Sequence, residues 1–392
     1  MITLLALFLG ICTGICTGLI PGIHTNLITT ILITLPIITQ LPTNILLIYI
    51  TSLAITHTFV DFIPTIYFSS PSPDTGLSMT PGHQLLLTGN GHLAINNTIK
   101  GSILAIIVFI MITPLFFLIL PKISSFVNIM TPWILFWILI FLILKEQRKK
   151  EIIIIIILTG FLGIFSLNSN INQPLLPLLT GLFGSSTLIV SIKNKTNPPK
   201  QKINKSTPTF KQIKNIFLQT LAISPFCSLL PGLGASQAAA LAQKKRKDAQ
   251  TTLILLGSIN TLVLATSFVT LYLINKKRSG TAEAISQLTY LTSTHLKIII
   301  ITILITAIIA SIVTNIISKQ IAKKLHKINY TNISKIILLI TTLLILIISK
   351  FEGLIILLTA TFIGILAIKL NAPKTYLMSS IIIPTILYYI PF

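Results

Sequence analysis

The chain has 392 residues, a formal net charge of +22, 53% hydrophobic residues and only 9% charged ones. A soluble domain carries about a quarter charged residues, so a soluble globule is excluded and an integral membrane protein is expected. At roughly 20 residues per helical crossing the length allows about ten to fifteen, and apolar runs that are continuous rather than alternating favour helices over a transmembrane barrel.

The 29 lysines and arginines fall almost wholly in short connectors: Lys145 to Lys150, Lys193 to Lys214, Lys244 to Lys247, Lys276 to Arg278 and Lys319 to Lys335. This is the positive-inside pattern, so anionic lipid is an expected partner and nucleic acid is not. Cys12, Cys16 and Cys227 lie in apolar segments and make no disulfide framework. The first twenty residues lack a basic n-region and a small-residue cleavage site, and they read as mature protein.

In chain order the apolar segments of the first half are Ile2 to Gln40, Asn44 to Phe68, Ile99 to Leu120, Ile123 to Leu144, Ile152 to Leu167 and Leu175 to Ile192. A basic connector, residues 193–214, carries Pro198, Pro199 and Pro208 and no acid. The second half offers Asn215 to Ala242, Ala249 to Asn275, Ile298 to Ile317, Ile336 to Ser349, Gly353 to Lys369 and Leu377 to Ile390. Six segments therefore face six. The expected organisation is a first transmembrane repeat, 1–192, a cytoplasmic linker, 193–214, and a second, inverted repeat, 215–392.

Segment Asn215 to Ala242 is too short for two spans, and basic connectors flank it on both sides. A re-entrant hairpin with two limbs of about 14 residues satisfies both constraints, turning at Pro231-Gly232-Leu233-Gly234. Counting back, Ile2 to Gln40 becomes the opposite hairpin, turning at Leu19-Ile20-Pro21-Gly22. The predicted fold is an all-α membrane bundle of about ten transmembrane helices with two re-entrant hairpins. The same count puts Lys276 to Arg278 outside, against the positive-inside rule.

A backbone break at membrane depth survives only where protein or a water-filled cavity covers it, and the half-helix ends it creates can hold ions. The predicted substrate-binding residues are Gly18, Pro21, Gly22, His24 and Asn26 at the first turn. At the second they are Pro231, Gly232, Gly234, Ser236 and Gln237, with Asn260 from the following helix. The structural alternative is a pair of Gly/Pro kinks whose Ser and Thr bond their own helices. His57 and Asp61 stand four residues apart on one helix face. An aspartate at a helix centre in the membrane costs about 2.5–3.5 kcal/mol, so it should be paired, protonated or bound to a cation. Asp61, His57 and Asp74 are the candidate ion-coupling residues; a His57–Asp61 pair that only locks the helix end is the alternative. Residues 69–97 are polar, rich in Pro and Gly and contain no Lys or Arg, as suits a vestibule or a segment folded back into the protein.

The absences are informative. Arg148, Arg246 and Arg278 all lie in connectors, which predicts no arginine fork at membrane depth. No histidine spacing suits zinc, and there is no P-loop and no paired acidic site, so neither metal chemistry nor ATP-driven transport by this chain is expected.

Four stretches carry a resemblance: GICTGICTGLIPGIHTN at Gly10 to Asn26, SPSPDTGLSMTPGHQLLLTGNGH at Ser70 to His92, SPFCSLLPGLGAS at Ser224 to Ser236, and KTYLMSSIIIPTIL at Lys374 to Leu387. In these the chain resembles the large membrane subunit of the tripartite tricarboxylate transporters, the TctA-type permeases, in their shorter archaeal form. The resemblance implies a multi-pass secondary carrier of the cell membrane that moves a small organic anion such as a tri- or dicarboxylate. It is not an enzyme, has no cofactor, and is driven by Na+ or H+. It also implies a small membrane subunit and an extracytoplasmic binding protein as partners. A second copy of the chain is a further candidate. The chain departs from the pattern by its length and by His24, which stands where the turn has a second glycine. Paired hairpins equally suit a polyprenyl-phosphate or other lipid-phosphate carrier or membrane enzyme; the Ser-Arg pair such an enzyme needs is replaced here by Ser236-Gln237.

Overall fold

The computed structural model describes residues 1–20, 25–34, 41–68, 74–194, 199–204, 207–230, 233–242, 248–327 and 329–390. Among them the regular structure is helical, with no strand, and eight helices are long and apolar enough to cross a membrane. The protein is therefore an all-α membrane protein. The first half contains α1 (Ile2–Leu19), α2 (Thr25–Thr34), α3 (Thr43–Val60), α4 (Phe62–Tyr67), α5 (Met79–Leu87), α6 (Gly91–Leu144), α7 (Lys149–Leu167) and α8 (residues 175–194), which passes through a π-helical turn at Thr180–Ser185. The second contains α9 (Phe210–Leu229), α10 (Ala235–Ala242), α11 (Ala249–Ile274), α12 (Gly280–Leu288), α13 (Ser293–Lys324), α14 (Tyr330–Lys369) and α15 (Ser379–Tyr389).

Several boundaries differ from the sequence-based expectation. The two limbs around the second Pro-Gly turn are unequal, with 20 residues in α9 and eight in α10. The start signal explains this. Thr209 and Gln212 form a capping box, in which Thr209 Oγ1 accepts from the Gln212 N–H and Gln212 Oε1 accepts from the Thr209 N–H, so helix begins in the basic connector, upstream of the apolar run. The polar stretch before α6 is not a loop from Gly76 onward: a 3-10 turn, Gly76–Ser78, leads into α5, which packs on α4 and α6.

The expected pair of crossings at 99–120 and 123–144 occurs inside one helix, α6, of 54 residues. A straight helix of that length would measure about 81 Å, far beyond the roughly 30 Å of a bilayer core. Its ends are tied down by hydrogen bonds: the Gly91 N–H donates to Gln201 Oε1 (2.8 Å) and Lys145 Nζ donates to the Ala240 carbonyl (3.0 Å). Pro114, Pro121 and Pro132 each remove a bond from its backbone ladder, the places where so long a helix can bend. In α14 the helix is kinked at Lys350, whose φ of 55° and ψ of −156° are not helical.

Two helices, α3 and α11, form the enclosed centre. Around them α1 and α13 pack on α3, while α9 and α6 pack on α11. Small residues set this closeness. A Cβ on Gly101 would fall 1.9 Å from the Ile254 carbonyl oxygen and one on Gly257 would fall 2.2 Å from that of Thr98, so the backbones of α6 and α11 touch. The outer helices expose Trp137, Phe161, Phe165, Ile308 and Phe362, side chains that lipid solvates and water would not.

Candidate functional site

The first constellation forms where α3 stops. Pro64 has no N–H to give the Val60 carbonyl, so the helix is interrupted and Asp61 occupies the turn between α3 and α4. The single long helix expected over residues 44–68 is thus broken at its one carboxylate. Asp61 is 5% exposed. Its Oδ2 accepts from Asn260 Nδ2 of α11 at 3.1 Å, and the same amide reaches the Thr58 carbonyl at 3.4 Å. Oδ1 is buried without a hydrogen-bond partner. Beside it, Thr58 Oγ1 and Thr261 Oγ1 lie 3.2 Å apart. Gly18, at the end of α1, sits against this turn; a Cβ there would come within 2.7 Å of Val60 Cβ and 3.3 Å of the Asp61 nitrogen. His57 Nδ1 pairs with Thr17 Oγ1 at 3.0 Å and so anchors α1 to α3.

The second constellation forms where α9 stops and α10 begins. Asp74, from the first half, presents Oδ1 to the Ala235 N–H at 3.2 Å and so caps the start of α10. Ser236 Oγ donates to the Asp74 carbonyl (2.8 Å) and accepts from the Leu77 N–H (3.2 Å). Gln237 Nε2 donates to the Thr375 carbonyl at 3.3 Å, while its Oε1 is buried without a partner. Gly234 lies between these groups, its Cβ position 3.0 Å from both Asp74 Oδ1 and Gln237 Oε1 and 3.4 Å from Met378 Cε. Electrostatically, Asp74 also acts on Asp61 and on Arg278.

Arg278 overturns one expectation. It lies in the connector between α11 and α12, yet its side chain turns inward: Nε donates to the Cys227 carbonyl at 2.6 Å and Nη2 to the Leu233 carbonyl at 2.5 Å. Cys227 belongs to the last turn of α9, whose carbonyls have no helical partner, so the guanidinium satisfies the interrupted end. The connector is short, because Asn275 ends α11 in the left-handed region at φ 51° and Ser279 already caps α12. Lys276 likewise stays close, donating to Asn128 Oδ1 of α6 at 2.8 Å; burial and the neighbouring Arg278 push its ammonium down to about 8. Both side chains are half-buried and held by the protein, and their place against the charge rule is consistent with that.

Of the predicted site residues, the structure brings Gly18, Asp61 and Asn260 together, and Asp74, Gly234, Ser236 and Gln237 together. His57 stands next to the first group through Thr17. Asn26 packs against Gly280 at the start of α12, two residues along the chain from Arg278. Pro21, Gly22, His24, Pro231 and Gly232 lie outside the described residues. Sequence reasoning missed Arg278, the Thr58–Thr261 pair and Thr375. For Arg278 the usable signal was the shortness of the connector, and for Thr375 it was the KTYLMSS stretch.

Eight apolar helices long enough to cross a membrane, with carboxylates and an arginine set against enclosed helix ends, make this a multi-pass membrane protein. The chain belongs to the tripartite tricarboxylate transporter TctA family, whose model matches residues 4–379. It is also similar to an uncharacterized protein of Methanocaldococcus jannaschii, 30% identical over 358 residues that cover 87% of this chain and 88% of the other. No solved structure matches it.

Proposed function

We propose that this chain is the permease of a secondary active transport system, moving a small organic anion, a tri- or dicarboxylate, across the cytoplasmic membrane. The halves 1–192 and 215–392 act as inverted repeats whose interrupted helices enclose the site, and a small membrane subunit and an extracytoplasmic binding protein are its proposed partners. The reading is carried by one observation: the Asp61 carboxylate, enclosed between α3 and α11, has one oxygen on Asn260, no close hydrogen bond on the other and only the Phe62 N–H nearby, with no cationic side chain paired to it among the described residues. An ionised carboxylate in that state is expensive, and binding a cation relieves it.

The donor set favours a proton over Na+. Asn260 is oriented by its second bond to the Thr58 carbonyl, so it turns N–H and not oxygen toward Asp61. A Na+ ion needs several converging oxygens, whereas a proton needs only Oδ1. Uptake into proteoliposomes under separately imposed proton and Na+ gradients, with citrate, succinate and a prenyl phosphate as solutes, tests this. Carboxylate accumulation driven by the proton gradient is expected. Accumulation of prenyl phosphate alone, or none of any solute by folded protein, overturns the carrier reading.

A further inference from the structure

Resting on the carrier reading, we infer that Arg278 and the Ala235 N–H form the seat for a carboxylate of the transported solute, and that Asp74 is a resident carboxylate which the solute displaces. The interruption between α9 and α10 exposes two kinds of unsatisfied backbone, the carbonyls at the end of α9 and the N–H groups at the start of α10. Arg278 Nε takes the Cys227 carbonyl at the end of α9 and Nη2 takes the Leu233 carbonyl just before α10, and this leaves the planar fork fixed across the break. Nη1 has no hydrogen-bond partner among the described residues. The N–H side is taken by Asp74 Oδ1, which comes from the other half of the chain. The helix start therefore already holds one carboxylate, and the guanidinium, which makes no hydrogen bond to Asp74, interacts with it electrostatically. Both side chains are part-exposed and reachable. Asp74 needs only a rotamer change to leave, because the segment that bears it stays pinned to α10 through Ser236.

Gln237 supplies the independent sign of a ligand. It is fully buried, its Oε1 has no partner, and that oxygen and Asp74 Oδ1 are each 3.0 Å from one point above Gly234. A buried acceptor left unpaired beside a carboxylate seat is complemented by a solute that carries a hydroxyl next to its carboxylate. The seat thus fits a hydroxycarboxylate, held by Arg278 and Ala235 through the carboxylate and by Gln237 through the hydroxyl.

Equilibrium binding to the full-length protein in lipid nanodiscs, with citrate and its deoxy analogue tricarballylate as probes, tests the assignment. Asp74→Asn, which replaces the resident carboxylate by a neutral amide with no charge to compete for the guanidinium, is expected to bind citrate at least tenfold tighter than the unaltered protein. The gain should persist in 0.5 M KCl, which screens simple charge repulsion but not competition for a seat. Arg278→Lys, which keeps the charge and loses the fork, should bind at least tenfold more weakly, and Gln237→Leu should erase the preference for citrate over tricarballylate. An Asp74→Asn protein that binds citrate no better, or whose gain vanishes in salt, overturns the inference, as does an Arg278→Lys protein of undiminished affinity. The Asp74→Asn readout stands even if Arg278→Lys fails to fold or the unaltered protein binds too weakly to measure. Failure in these variants while proton-driven carboxylate uptake is intact defeats only this assignment; absent uptake of every solute defeats the carrier reading.

Discussion

Asn260 Nδ2 lies 3.1 Å from Asp61 Oδ2, so an amide from the second half of the chain provides the hydrogen bond to the buried carboxylate of the first. The contact ties α3 to α11, the two most enclosed helices, at the point where α3 is broken. Any movement of one central helix against the other changes how that carboxylate is stabilised, and on the proposed function this contact would link conformation to ion binding.

Replacing Asp61 by Asn removes the charge while preserving shape. The variant is expected to keep its fold, with unchanged or raised thermal stability, because a buried carboxylate with one unpartnered oxygen is replaced by a neutral group. Solute exchange between preloaded proteoliposomes should persist, whereas accumulation against a gradient should disappear. Retained gradient-driven accumulation would remove Asp61 from the coupling step.

The Asn260 amide should show its value only when the carboxylate is present. Asn260→Ala is expected to destabilise the protein by about 1–3 kcal/mol, the range for leaving a buried polar group unsatisfied. In an Asp61→Asn background the same substitution should cost less, and a double-mutant cycle by chemical denaturation measures the difference. Equal costs in the two backgrounds would mean that the bond contributes nothing.

The contact between α6 and α11 is set by glycine. Gly257→Ala places a methyl 2.2 Å from the Thr98 carbonyl oxygen, so the helices must separate. The expected loss is at least the roughly 1–3 kcal/mol of an overpacked core, read as a lower unfolding midpoint. Gly184→Ala serves as the contrast, since its Cβ would meet nothing closer than Thr180 Cγ2 at 3.9 Å, and it should be nearly neutral.

Lys276 should make stability rise with pH above neutrality. Its ammonium titrates at about 8 in the fold because of burial and Arg278, and at its ordinary, higher value when unfolded. Between those two values the unfolded chain binds more protons than the folded one, so the free energy of unfolding increases as pH rises through that window. Lys276→Met should flatten the rise, measured by thermal unfolding at pH 7.5, 8.5 and 9.5. A slope unaffected by the substitution would place the titration elsewhere.

The class of the protein was legible because the membrane imposes a composition. Continuous apolar runs and basic connectors reveal helices and their ends without any knowledge of their partners. Asp61 was legible as well, since a carboxylate among apolar residues must be accommodated somehow. Asp74, Ser236 and Gln237 were marked by the Pro-Gly break, but their grouping was not, because it pairs residues about 160 positions apart. The role of Arg278 was hidden for a similar reason: its acceptors, the Cys227 and Leu233 carbonyls, lie about 50 positions earlier in the chain.

By itself, then, the sequence determined the solvent of this protein, its helical class and the places where helices must break, all of which follow from local hydropathy and backbone chemistry. Only the tertiary structure decided which side chains complete those breaks. Each unsatisfied N–H or carbonyl within the bundle takes whatever partner packing brings beside it, and that partner, Asp74 for Ala235 or Arg278 for Cys227, comes from a segment remote in the chain.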